Sequence, residues 1–437
     1  MQVYSNKYTN LIIFKGTDMK KYTELYESIK DMITSGELKE GTKVASVRKA
    51  AAIYDVSITT VQNAYFELCA DGYLIAVDKS GYYVTDIINK NNYIKENIKN
   101  GVSNVKYDLT GTADEESFDF SLWQRYIKSA LRQTQRMTTY SEAKGEYDLR
   151  LAISDYIKNS RNIIASPDRI VIGAGVGALM HTLASLLKGR KTVSFPDKSF
   201  TQGINIFSDY GYKVFTRFKD AEVIYVSPSH MTRWGDVMPM KRRLELINYS
   251  DKNNSVVIED DFENEFLYNK MPTPSLYTLG KGNIVYIGSF SAMLLPGIRI
   301  SFMVLSDELL EEFEKKSAYI AQTASKTEQI ALASFIRDGH LSYRIRKIRR
   351  LYTNKTKTFA NILKEIMPQS EIEIGENSLQ IILKSKFNGK KPEFEKYGLK
   401  VIIKEQKNNE ITLILSPSGI KQTELEECAK AIKKSIV

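Results

Sequence analysis

The chain has 437 residues, 43% hydrophobic and 26% charged, which excludes a disordered, collagen-like or coiled-coil polypeptide and leaves room for two domains. No apolar run approaches the roughly 18–20 residues of a membrane span. Met1–Asn10 has no apolar signal core, and the cysteines Cys69 and Cys428 fit no zinc or redox spacing, so a cytoplasmic chain with reduced thiols and no metal is expected. The net charge of +10 suits an anionic partner such as nucleic acid, yet residues 1–85 carry as many acids as bases, so charge does not locate the contact.

Three regions differ in texture. Residues 1–85 read as a small helical domain, 86–106 as a polar Asn- and Lys-rich linker, and 107–437 as short apolar runs alternating with helical stretches. In the first region, Tyr22, Leu25, Tyr26, Ile29 and Ile33 recur at helical spacing. Gly36 and Gly41 bracket a turn, and Ser46 can cap a second helix through Val47, Ala50, Ala51 and Ile53. Ser57 can cap a third, whose inward face is Val61, Ala64, Tyr65 and Leu68. Its outward face is then Ile58, Thr59, Thr60, Gln62 and Asn63. Tyr73–Val77 and Gly81–Thr85 form a β-hairpin around Lys79-Ser80-Gly81. The pattern fits a packing module or a DNA-reading head. For the latter, Arg48, Ser57, Thr59, Thr60, Gln62, Asn63 and Lys79 are the candidate contacts.

In the third region, strands are expected at Arg169–Gly173, Thr192–Phe195, Val223–Val226, Ser255–Glu259, Ile284–Ile287 and Ile300–Leu305. Ala174-Gly175-Val176-Gly177 leads from the first strand into a helix over Ala178–Leu187, a turn whose N–H groups can favour phosphate. The alternation predicts an α/β domain with a mainly parallel sheet. Arg337–Lys357 reads as a long basic helix, either a solvated face that also docks on the domain or a ridge helping to hold DNA.

Leu25-Tyr26, Ile33–Leu38, Gly41, Ser46-Val47-Arg48, Val56–Val61 and Asp71–Leu74 together resemble a GntR-type winged helix. That family usually has Pro where Ala45 stands and a basic residue where Ile58 stands. The second departure is expected to remove one phosphate contact and lower the salt slope by about one. Ser227-Pro228-Ser229-His230, Glu259–Phe266 and Tyr286–Arg299 resemble a fold-type I aminotransferase domain, as do Tyr140, Gly145, Leu149-Arg150 and Arg161-Asn162-Ile163 upstream. Joined in this order, the two resemble a MocR-type transcriptional regulator: a winged helix-turn-helix followed by a fold-type I domain with a small C-terminal α/β subdomain.

That resemblance implies a pyridoxal phosphate (PLP) site. Asp260 matches the acid that pairs the pyridinium nitrogen, and Ser289, Ser291 and Arg299 match phosphate contacts, helped by N–H groups near Val176 and Gly177. Phe200 matches the stacking aromatic, and His230 also belongs to the motif. The imine-forming lysine is replaced by Ala292, which cannot form that bond. Phe262, Met231, Arg233 and Gln202 also depart from the pattern. Alternative roles for the retained charges are a strand-end ion pair for Asp260 and a salt bridge from Arg299 to Glu259 or Asp261. The resemblance further implies double-stranded operator DNA as partner, a small-molecule effector, and a head-to-tail homodimer. The expected function is a DNA-binding regulator that senses a small molecule without covalent PLP. The competing readings are a PLP-dependent aminotransferase-like enzyme, a Lys-to-Ala variant of a PLP-responsive regulator, and a domain that only dimerises.

Overall fold

A computed structural model describes residues 18–78, 80–85, 105–111, 113–114, 116–229, 231, 237–261, 264–266, 273–280, 282–375, 379–387, 392–407 and 409–436. Lys79, His230, Arg233, Phe262 and residues 86–104 of the expected linker lie outside them. The chain divides into two compact units, residues 1–103 and 104–437.

The first unit has helices α1 (Asp18–Thr34), α2 (Val47–Tyr54) and α3 (Ile58–Ala70), then strands β1 (Leu74–Val77) and β2 (Gly81–Val84). Ser46 caps α2, its side chain accepting the Lys49 N–H, and Asp55 ends that helix in the left-handed region at φ 52°. Ser57 caps α3 by accepting the Thr60 N–H at 3.0 Å. Leu25, Ile29 and Ile33 of α1 pack against Val61, Ala64, Tyr65 and Leu68 of α3, as the spacing predicts. The Tyr65 hydroxyl donates to the Ala45 carbonyl at 2.9 Å. The antiparallel hairpin pairs Leu74 with Val84 and Val77 with Gly81.

The second unit begins with β3 (Tyr107–Asp108), α4 (Phe120–Leu131), α5 (Tyr147–Arg161), β4 (Ile170–Gly173), α6 (Val176–Leu186) and β5 (Thr192–Phe195). Next come α7 (Thr201–Asp209), β6 (Lys213–Thr216), β7 (Val223–Val226), α8 (Met240–Asn253), β8 (Val256–Asp260), β9 (Ile284–Ser289) and β10 (Ser301–Val304). Helices α9 (Asp307–Lys316), α10 (Lys326–Arg337) and α11 (His340–Ile366) follow. The chain closes with β11 (Glu371–Ile374), β12 (Ile381–Lys386), β13 (Leu399–Lys400), β14 (Ile402–Lys407), β15 (Glu410–Leu415) and α12 (Leu425–Ile436).

The large sheet runs in the order β4-β10-β9-β8-β7-β5-β6. Its pairs are parallel except those of β10, which is antiparallel to both β4 and β9. Strand β6 lies on one side of β5 and β7 on the other, so the connections diverge at their carboxyl ends and leave a crevice there. The inner strands β8, β9 and β10 are buried on both faces, which is why they read as mostly apolar runs. A four-stranded antiparallel sheet, β11-β12-β15-β14, forms the small C-terminal subdomain. Its core joins Leu383 and Leu413 to Phe359 and Leu363 of α11 and Cys428 of α12.

Candidate functional site

In the first unit the outward face of α3 carries Ile58, Thr59, Gln62 and Asn63, all exposed. Thr60 does not belong to it. Its side chain is only 4% exposed, with its hydroxyl 2.8 Å from that of Ser57. The reason is helical geometry: the third residue after an N-cap lies over the cap and faces the preceding turn. Ser57 is likewise committed to capping. Arg48 is exposed on α2, beside exposed Lys49 and Lys43.

In the second unit, the carboxyl ends of β4, β5, β8 and β9 and the amino end of β10 bring Val176, Gly177, Phe200, Asp260, Ser289, Ser291 and Arg299 to one end of the sheet. Gly175 precedes α6 with φ +87°, and the Arg299 guanidinium lies where a side chain at Gly175 would stand. Gly177 meets the Gln202 amide in the same way. The N-terminus of α6, whose Val176 and Gly177 N–H groups have no hydrogen-bond partner among the described residues, is thus flanked by a cation and an amide. Ser289 ends β9; its hydroxyl receives bonds from the Ser301 hydroxyl at 3.0 Å and the Ser291 N–H at 3.4 Å.

The Asp260 carboxylate accepts a short hydrogen bond from the Tyr225 hydroxyl. Burial, then the Asp260 charge, pushes that phenol well above its usual range. Phe200 stacks on Tyr225, ring centroids 5.1 Å apart and planes at 24°. Tyr225 therefore engages both groups that the resemblance assigns to a pyridine ring. It escaped the sequence reading because it lies inside an apolar strand. The available signal was register: Tyr225 pairs with Ile258, two residues before Asp260, on the neighbouring parallel strand.

Neither Glu259 nor Asp261 is the partner of Arg299. Asp261 takes two bonds from the Arg161 guanidinium, at 2.7 and 3.2 Å, and hydroxyl bonds from Ser229 and Tyr286, each at 2.8 Å. Glu259 receives the N–H groups of Leu276 and Tyr277 at 2.8 and 2.9 Å. Its complete burial, then the adjacent Asp261 charge, raises its carboxyl to about 7.

Ala292 lies in the turn after β9 and packs against a cluster of Phe266, Ile348, Tyr352 and Leu379. The basic helix α11 docks on the domain with one face and meets solvent with the other, as its reading as a docked, solvated helix expects. Arg344 is buried and donates to the carbonyls of Met293 at 2.7 Å and of Leu294 and Ser117 at 3.0 Å. Lys355 is buried on Asp114 and the Ser418 carbonyl. Arg346, Lys347, Arg350 and Lys357 stay exposed. Set against PLP, the donor set of α6, Ser289, Ser291 and Arg299 fits a phosphate. Position 292 carries no amine for an imine, and at the ring half Tyr225 bonds one carboxylate oxygen of Asp260 and stacks on Phe200.

A winged helix followed by an aminotransferase fold defines a class of regulator, and the comparisons agree with that class. The chain matches the bacterial regulatory proteins of the gntR family over residues 21–84 and aminotransferase class I and II over residues 114–408. It is 30% identical to the uncharacterized HTH-type transcriptional regulator YhdI of Bacillus subtilis, covering 92% of this chain and 89% of that one. It is 25% identical to the probable rhizopine catabolism regulatory protein MocR of Rhizobium meliloti, over 86% and 84% of the two chains. The HTH-type pyridoxine biosynthesis transcriptional regulator PdxR of Corynebacterium glutamicum is 24% identical, over 83% and 82%. Among solved structures, an archaeal alanine:glyoxylate aminotransferase superposes with a TM-score of 0.65 at 19% identity, over 80% of this chain and 94% of that one, a likeness of fold.

The protein belongs to the HTH-type transcriptional regulators of the MocR type, with a gntR-family head and an aminotransferase-like domain. Among the described residues, no helix is long and apolar enough to cross a membrane.

Proposed function

We propose that the aminotransferase-like domain, residues 107–437, is a sensor of a phosphate-bearing small molecule and has no transaminase activity. The observation that supports this most is the pairing of Arg299 with the Gly175 turn beside Ser289 and Ser291, in a site where Ala292 supplies no nucleophilic amine. Val176, Gly177, Ser289, Ser291 and Arg299 would hold the phosphate of such a ligand, PLP included, without a covalent bond. When attached as an imine, PLP acts as an electron sink for amine substrates. Without a lysine at 292 this chain's residues bind and orient the phosphate and do nothing further.

Residues 1–85 bind double-stranded operator DNA. Arg48 and Lys79 contact phosphate there, and Thr59, Gln62 and Asn63 present the reading face. Ser57 and Thr60 hold the start of α3. The chain acts as a head-to-tail homodimer, and the effector changes the spacing of the two heads through its different affinity for the two arrangements.

Native mass spectrometry of the purified protein, with and without PLP, tests the sensor reading. A dimer that gains PLP reversibly and keeps no added mass after borohydride reduction is the expected result. Mass retained after reduction would establish an imine and return the enzyme reading. A dimer that never takes up PLP or inorganic phosphate would remove the phosphate site.

A further inference from the structure

An α-helix rises about 1.5 Å per residue, so the exposed positions Ile58, Thr59, Gln62 and Asn63 span roughly 7.5 Å, the length of two to three base pairs. These are the first two turns of α3, the part of a recognition helix that meets base edges. Neither Gln62 nor Asn63 makes a side-chain hydrogen bond among the described residues, so both amides are available for a partner. Ile58 is 49% exposed, and Phe66, one turn beyond Gln62, is 74% exposed.

The chemistry of these side chains is selective. Carboxamides pair bidentately with the adenine N6 and N7, and apolar or Thr methyl groups meet the thymine C5-methyl. Guanine is read mainly by Arg or Lys across O6 and N7. None of the 13 residues of α3 is basic, and its single acid, Glu67, lies in the last turn and a half. The exposed cations Lys43, Arg48 and Lys49 all precede α3, on α2 and the segment leading into it, where they suit phosphates.

Resting on the operator binding proposed above, we propose that α3 reads A·T base pairs. Gln62 and Asn63 bond to adenine, while Ile58 and the Thr59 methyl contact thymine. Specificity in this window comes from amides and methyl groups, and affinity comes from cations elsewhere in the head.

The test is selection from a randomised duplex library with the full-length protein, repeated with Gln62→Ala and Asn63→Ala. Both positions are exposed on a helix, so neither variant disturbs the core, and retained low-salt binding to arbitrary duplex verifies that the head is folded. The wild type should enrich an A·T window of two to three pairs. In each variant the pair that loses its preference should be A·T, with discrimination there falling roughly 5- to 150-fold. Gln62→Arg should move the preference at its position to G. The inference is overturned, with operator binding intact, if the pairs that lose preference are G·C or if both alanine variants keep the full wild-type preference. No enrichment by the wild type, with only salt-sensitive binding to arbitrary duplex, would overturn operator reading itself.

Discussion

Gly175→Ala separates the stability of the Gly175 turn from the phosphate binding proposed for it. Gly175 has φ 87° and ψ 169°, a combination essentially restricted to glycine, so alanine there costs about 1–3 kcal/mol. The new methyl would also collide with the Arg299 guanidinium. Arg299 is exposed and long, so its side chain moves and the core keeps its packing. Removing that cation from the start of α6 deletes a charge-assisted bond to phosphate, about 1.5–3 kcal/mol, or roughly 10- to 150-fold in affinity. Calorimetric titration with PLP and with inorganic phosphate, alongside urea unfolding, reads both effects. Arg299→Ala should reproduce the loss of affinity without the backbone cost. The reasoning is refuted if Gly175→Ala and Arg299→Ala both bind phosphate as the wild type does, or if pyridoxal lacking its phosphate competes equally with PLP.

Arg161→Met leaves the buried Asp261 without its cation and should lower unfolding stability by about 3–5 kcal/mol; under about 1 kcal/mol would show that Ser229 and Tyr286 suffice for that carboxylate. The Glu259 carboxyl titrates near 7 in the fold against a usual 4.5, so the folded state holds its proton more tightly than the unfolded chain. Stability from this group is complete below about 4.5 and is lost as pH rises to about 7, by up to roughly 3 kcal/mol. Glu259→Gln should flatten that part of a urea-midpoint curve against pH, and an unchanged slope would assign it to another group. Ser57→Ala removes the cap of α3 and should lower the melting transition of the head by the equivalent of about 1 kcal/mol, while an unchanged melt would show that Thr60 anchors the turn alone.

Legibility followed burial. Thr192–Phe195 and Val223–Val226 match the expected strands end to end, because strands covered on both faces read as apolar runs. Strand β6, Lys213–Thr216, was not anticipated: it is the sheet's edge, largely exposed, and shows neither alternation nor an apolar run. The inward face of α3 followed from its period, but Thr60 did not, since capping overrode its place on the helical wheel. At the carboxyl end of the large sheet, Gly175, Asp260, Ser289 and Arg299 were recognisable in their motifs. Tyr225 was not, and Gln202 stood out only as a departure from the pattern, because their contacts arise from strands and loops that meet only in space. Docking was expected of helix α11, but not that Arg344 and Lys355 would be buried, because their partners, carbonyls of Ser117, Met293, Leu294 and Ser418 and the Asp114 carboxylate, lie in remote segments.

The two buried cations of α11 have a mechanical consequence. Arg344 grips the turn that carries Ala292, and Lys355 grips Asp114 and Ser418, about 16 Å further along the same unbroken helix. One helix thus bonds, at two points along its length, both the turn after β9 and the Asp114 and Ser418 segments, so these remote parts of the chain share a single support.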